Sequence, residues 1–370
     1  MSKYFTGRER LEHSPAFARN IRMGSPVELR VPDHQRVIDA INSANFQEAS
    51  TYLELFHSQY QLMLSLVFEW VLQIPQSLSE LVGGNLEREL TEKTFQRFKA
   101  SLPTINYSPD AAAGARQLAS LLIDADLRPG LADSYREQAA KADITLLHNI
   151  LRQLGQAYAE LSAALEQHSP ELAVQKFDAY RYFAIGVHDA CIQFTQSCFE
   201  SVQLDCEQEV CEKLIQQSFS SCSFFEPLWS VGQLPPDALA AFLAEHLRLH
   251  FSGDKTRGGG IEIIEDEEKY RLVFDACGSG GALRRRLDKN GQLPKLAKAG
   301  PATWNRANEV PAYCAHCAFN EMTAIDKYGY PILVTDFNPD PQKPCGWTVY
   351  KDPDAIPATY YERLGRTKPA

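Results

Sequence analysis

The segment VPAYCAHCAF, residues 310–319, places Cys314 and Cys317 three positions apart with His316 between them. Thiolates and imidazole are soft donors that suit zinc, and a C-x-x-C pair at a turn or helix start commonly supplies half of a zinc site. Two further cysteines share this third of the chain. Cys277 closes an expected strand, and Cys345 opens the last one after NPDPQKP. Thiols at the ends of several elements can converge on one tetrahedral ion. Cys277, Cys314, Cys317 and Cys345 are therefore the expected metal ligands, with zinc the expected ion. An iron–sulfur cluster ranks lower, because the gaps fit neither common ferredoxin spacing. Buried or redox-active thiols without a metal are the remaining alternative.

Helix geometry adds candidate catalytic groups. In a helix opening at Cys314, Cys317 lies about 300° round, Glu321 about 340° and His316 about 200°. Glu321 would then share the thiol face, as a base on a metal-bound water or as a support to a ligand. If residues 314–317 instead form a tight knuckle, His316 replaces one cysteine as ligand. The segment CGSGGALRRR follows Cys277 directly. Gly278, Gly280 and Gly281 would let backbone approach a ligand, and Arg284, Arg285 and Arg286 would suit a carboxylate or phosphate. Its spacing is neither that of a P-loop nor that of a dinucleotide fingerprint.

The elements that must position these groups change type along the chain. Residues 1–31 read as an N-terminal arm and 32–252 as a large all-α domain with apolar residues recurring every three or four positions. A helix break is expected near Ser43–Asn45, another at DLRPG (126–130), and helices over about 131–167, 170–202 and 207–218. LPPDALAAFLAEHLRLHF reads as a further helix with a proline start. His246 and His250 on it are expected on a solvated face. Residues 253–370 read as a small mixed α/β, cysteine-containing, metal-binding domain. Its short antiparallel sheet is expected from IEIIEDEEKYRLVFDA, YPILVTDF and CGWTVYK. The fold class is thus α+β.

One weak repeat stands in the helical part. His57 and His188 are each followed three turns on by Phe-Glu, which would fit a duplicated helical hairpin. Glu54 and His57 share a helix face, but this pair has no counterpart, which argues against a di-iron bundle. The other cysteines, Cys191, Cys198, Cys206, Cys211 and Cys222, read as small buried hydrophobes.

The formal net charge of −10 argues against nucleic acid and anionic membranes as partners. The N-terminus MSKYFTGRERLEHSP lacks the apolar core of a secretory signal, and no window approaches the roughly 20 apolar residues of a membrane span. A cytoplasmic location follows as the expectation, with an odd count of nine cysteines disfavouring a disulfide framework. Assembly into a homo-oligomer is left open. KPCGWTVY resembles the close of bacterial small-molecule-binding domains of the 4-vinyl reductase type, which implies ligand binding and transfers no site residues.

Two functions fit. One is a zinc-dependent hydrolase or lyase acting on a small acidic molecule, with Glu321 and His316 as catalytic candidates and the glycines and arginines as anchor. The other is a ligand-binding or regulatory protein in which four thiolates close a structural zinc site. Four available thiols favour the second, because a closed shell leaves no open position. The glycines, the arginines and Glu321 crowded around the expected ligands favour the first, since a structural site needs none of them, and the enzyme is the leading expectation.

Overall fold

A computed structural model of the chain describes residues 2–14, 19–124, 145–222, 231–252, 261–288 and 293–369. The protein is α+β, mainly helical with two small antiparallel sheets. It divides into two compact units: His34–Ser223, and Met1–Asp33 together with Phe224–Ala370. Among the described residues no helix is long and apolar enough to cross a membrane.

The helical unit is organised by two long helices, Phe46–Val82 and Pro170–Asp205. The expected break before the first is present. Ala44 takes a left-handed φ of 57°, and the Asn45 side chain accepts from the Glu48 amide to cap the new helix. Helix Pro170–Asp205 is the unit's core. Every residue from Ala184 to Phe199 is buried, and the helix packs against Gly84–Ser101, Pro109–Asp124 and Thr145–Glu166 as well as Phe46–Val82. A helix buried all round must satisfy its polar side chains internally. It does so with Ser197 and Ser201 donating to carbonyls one turn back, and with the His188 ring beside Asp189, which also accepts from Tyr107.

Two glycines allow the closest crossing in this unit. A Cβ on Gly186 would lie 2.0 Å from the carbonyl oxygen of Ala111, and one on Gly114 would lie 2.3 Å from that of Phe183. The repeat residues occupy the two long helices but differ in environment. His57 pairs with the Tyr180 hydroxyl at 2.6 Å and stacks on Tyr158, whereas His188 is fully buried beside Asp189. Cys191, Cys198, Cys211 and Cys222 are buried as expected, and Cys206 is half-buried. The expected break at 126–130 and the start of the expected helix 131–167 lie outside the described residues, and its described part is Thr145–Glu166.

The second unit holds both sheets. Strands β1 (Arg10–Ser14) and β2 (Arg19–Met23) form an antiparallel hairpin. Strands β3 (Glu262–Glu265), β4 (Lys269–Phe274), β5 (Val334–Asp336) and β6 (Cys345–Tyr350) form an antiparallel sheet in the order β3-β4-β6-β5. Helix Pro236–Leu249 packs on β4 and β6. These four strands and this helix are the elements expected from the sequence.

The division between units does not follow the expected boundaries at 31 and 252. Residues 10–23 form strands rather than an arm, and helix Pro236–Leu249 sits with the sheet. The physical reason lies in two buried arginines. Arg22, 2% exposed, donates to Glu9, to the Val31 carbonyl at 2.7 Å and to Asp33. Arg248 pairs with Glu245 and donates to the Leu29 carbonyl at 3.1 Å. A buried guanidinium must have its donors met. Arg22 gathers the N-terminal segment from Glu9 to Asp33, and Arg248 ties that segment to the helix Pro236–Leu249 through the Leu29 carbonyl.

Candidate metal centre

Strand register and a glycine turn set Cys277, Cys314 and Cys345 in one neighbourhood of the second unit. Cys345 pairs directly with Phe274 across β4 and β6, and Cys277 follows Phe274 by three residues. Between Cys277 and helix Gly280–Leu287 the chain packs tightly. A Cβ on Gly278 would lie 1.6 Å from the carbonyl oxygen of His250, one on Gly280 2.8 Å from Cys314 Sγ, and one on Gly281 3.0 Å from the Cβ of Cys277. The Gly278 amide donates to Ser252 Oγ at 2.9 Å. These glycines therefore serve close packing of chain on chain and of chain on thiol. That is where the expected anion-binding loop goes.

Cys314 sits in a 3-10 turn, Ala312–Ala315, and the α-helix His316–Tyr328 starts two residues later than expected. The His316 Nδ1–H donates to the Tyr313 carbonyl at 2.6 Å, which leaves Nε2 as the acceptor, 3.5 Å from Cys317 Sγ. Cys277 Sγ lies 3.4 Å from Ser279 Oγ.

The thiols act on one another electrostatically. Burial first, then nearby Cys277 and Cys345, raise Cys314 to about 12, while Arg284 opposes the rise. Burial raises Cys317 well above the ordinary thiol value, with Cys277, Cys314 and Cys345 adding to it. Cys345 is raised by burial and by Cys277, and lowered by the Asn338 backbone and by Arg284. As placed, however, no three or more His, Cys, Asp or Glu side chains among the described residues are grouped so as to hold a metal ion.

The arginine cluster is turned onto the chain itself. Arg284, 1% exposed, donates to the carbonyls of Asn338 at 2.8 Å and of Pro339, and its guanidinium lies 4.9 Å from the centre of the Phe337 ring. Arg285 donates to the Pro341 carbonyl at 2.8 Å and pairs with Asp275. Both fasten the loop that leads into Cys345. No carboxylate forms an ion pair with Arg284 among the described residues, and the thiols of Cys314 and Cys345 lie in its neighbourhood.

Glu321 is fully buried and its oxygens are engaged. Oε1 accepts from Trp304 Nε1 at 2.9 Å and from the Thr335 amide at 3.1 Å, and Oε2 accepts from Arg363 at 2.6 Å. Burial raises its pKa and Arg363 opposes that rise. Glu321→Gln removes the charge that Arg363 faces and turns one acceptor into a donor. The variant should lose about 2 kcal/mol in urea unfolding, since breaking a buried pair strands its partner. Unchanged stability would show that the pair contributes nothing.

His246 does not lie on a solvated face. It is half-buried, its ring stacks toward Trp347 at 6.2 Å, and burial together with His316 holds its pKa down at about 4. The folded state thus favours the neutral ring. This stability is present above the ordinary histidine value near 6.5 and is lost as pH falls from there through about 4. The ring keeps some solvent access, so the effect should be on the order of 2 kcal/mol. Between pH 7 and about 4 the wild type should lose that much more stability than His246→Gln, read from melting curves. Parallel curves would contradict this.

Comparison with protein-family models, with curated proteins and with solved structures finds no match for this chain. The likeness of KPCGWTVY to 4-vinyl reductase-type domains therefore stands on that short segment alone. The sequence does not single out Tyr313 and Ser279, which stand beside these thiols, or the burial of Arg284 near Cys314 and Cys345. No sequence signal distinguishes a buried arginine from the two exposed-looking ones beside it.

Proposed function

We propose that the Met1–Asp33 and Phe224–Ala370 unit is a binding or regulatory module stabilised by zinc, with Cys277, Cys314, Cys317 and Cys345 as a four-thiolate site. The observation that carries this reading is Arg284, a buried cation with no carboxylate ion pair among the described residues, beside two of the four thiols. A buried positive charge needs a negative partner. Neutral thiols do not supply one, and their raised pKa values keep them neutral in the absence of a cation. A zinc tetrathiolate carries two net negative charges, and a guanidinium within reach of its sulfurs would offset one of them.

Convergence on an ion requires the thiols to turn about their Cα–Cβ bonds from their present positions. The short backbone approaches at Gly280 and Gly281 keep the Cys277 and Cys314 segments together meanwhile. The zinc would fasten the strand end at Cys277, the turn at Cys314 and the β6 start at Cys345 to one another.

The hydrolase or lyase reading loses support, because Glu321 is held by three donors and Arg284 and Arg285 are held by carbonyls. Iron–sulfur chemistry has no observation in its favour. Cobalt substitution of the reduced protein tests the proposal. A tetrahedral four-sulfur site gives strong sulfur-to-cobalt charge-transfer absorption together with visible bands, lost in Cys317→Ala. A spectrum of six-coordinate, oxygen-bound cobalt would refute it.

A further inference from the structure

A second site lies on the sheet, apart from the arginines that the sequence singles out. A cleft of about 420 Å³ is lined by Arg271 on β4, by Arg306, by Thr335 and Asp336 on β5, and by Arg363. Its apolar walls include Phe337 and Tyr360. Its floor is opened by Gly346, where a Cβ would lie 3.3 Å from the Leu272 carbonyl oxygen and 3.7 Å from Asp336 Oδ2.

Three guanidinium groups and one carboxylate, Asp336, line it in a chain of net charge −10, with Arg363 paired to Glu321 outside the lining and Arg306 within 3.4 Å of Glu309. The carboxylate is already engaged, since Asp336 Oδ2 accepts from Thr348 Oγ1 at 3.0 Å. The arginines are less so. Arg271 is exposed, and its side chain makes no hydrogen bond or ion pair among the described residues. Arg306 reaches Glu309 and the Phe337 carbonyl only at 3.4 Å each. Arg363 uses Nη2 on Glu321 and on the Thr335 carbonyl, while its Nε is buried without a partner. Thr335, 3% exposed, also has its hydroxyl buried without a partner. Two orphaned polar groups at one cleft cost free energy unless something fills them.

We infer that this cleft binds a small organic anion: a carboxylate or phosphate head group held by Arg271, Arg306 and Thr335, with an aromatic or apolar body against Phe337 and Tyr360. Guanidinium forks match the paired oxygens of either head group. A threonine hydroxyl can donate to a third oxygen. The absent side chain at Gly346 leaves the space for the body. This deepens the binding-module reading by naming the ligand class. Cys345 also lines the cleft, but no ligand contact is assigned to it, and the test reads ligand binding and not metal, so the two fail separately.

The experiment is calorimetric titration of the purified full chain at low ionic strength with benzoate, phenyl phosphate and, as a neutral control, benzyl alcohol. Saturable binding of at least one anion is expected, with none of the alcohol. Tighter binding of phenyl phosphate assigns a phosphate ligand, and tighter binding of benzoate a carboxylate. Arg271→Gln, at an exposed strand position, and Arg306→Gln should each weaken binding about tenfold, the loss of one charge-assisted pair. Gly346→Val should abolish it by filling the floor. Matching melting curves for Arg271→Gln and the wild type exclude unfolding as the cause. No saturable anion binding to the wild type, or binding unchanged in both arginine variants, overturns the inference.

Discussion

Stripping the proposed zinc is expected to lower the melting temperature of the Met1–Asp33 and Phe224–Ala370 unit by about 10 °C or more. The size follows from linkage. A metal that binds the folded state alone stabilises it by the logarithm of its saturation, several kcal/mol for a tight thiolate site, and each kcal/mol moves a domain of this size by a few degrees. The second unit has reason to depend on such a fastening. Its four-stranded sheet contains two strands of only three and four residues, Val334–Asp336 and Glu262–Glu265. The turn at Gly278 rests directly on the backbone of His250. Cys314→Ser should reproduce most of the loss, and adding zinc back should restore the wild type and not the variant. Differential scanning calorimetry before and after chelation under reducing conditions reads this. A chelated wild type that melts where the untreated protein does would show that no metal contributes to the fold.

Gly186→Ala should destabilise the helical unit by about 3 kcal/mol or more, although it adds one methyl group. The new Cβ would stand 2.0 Å from the Ala111 carbonyl oxygen, and within 2.8 Å of two further backbone atoms of that residue. Backbone cannot swing aside as a flexible side chain can. Helices Pro109–Asp124 and Pro170–Asp205 must therefore separate, opening the packing around a segment with no exposed residue from Ala184 to Phe199. Gly155→Ala is the control. That glycine lies within helix Thr145–Glu166 with nothing within 4 Å of a built Cβ, so alanine there should stabilise by about 0.5–1 kcal/mol through helix propensity alone. Urea denaturation followed by circular dichroism should give the two changes opposite signs. Equal effects would mean that the crossing is looser than described.

What the sequence disclosed and what it concealed divide along physical lines. Local period and punctuation carried the long helices, the break before Phe46 and the four sheet strands, because each is set by residues a few positions apart. RLEHS and RNIRM do not alternate apolar and polar side chains, so nothing in their pattern marks the β1–β2 hairpin. Its anchor is a buried arginine, Arg22, and burial of a charge cannot be inferred from composition. Gly278 has the look of a ligand loop in sequence. The atom that demands glycine there is the carbonyl oxygen of His250, in an element well upstream. Likewise the partners of Arg284 and Arg285 are main-chain carbonyls more than fifty residues on, and a carbonyl exists at every position, so nothing marks those that will be used. Thiols were easier. Cysteine is rare and chemically distinct, and the four named ones do share one electrostatic neighbourhood.

X-ray absorption at the zinc edge, on protein purified under reducing conditions, tests the four-thiolate site most directly. One zinc per chain with four sulfur neighbours at about 2.3 Å is the predicted result. Zinc bound through oxygen or nitrogen, or protein that carries none and keeps its melting temperature when Cys314 and Cys317 are both replaced by alanine, would contradict it.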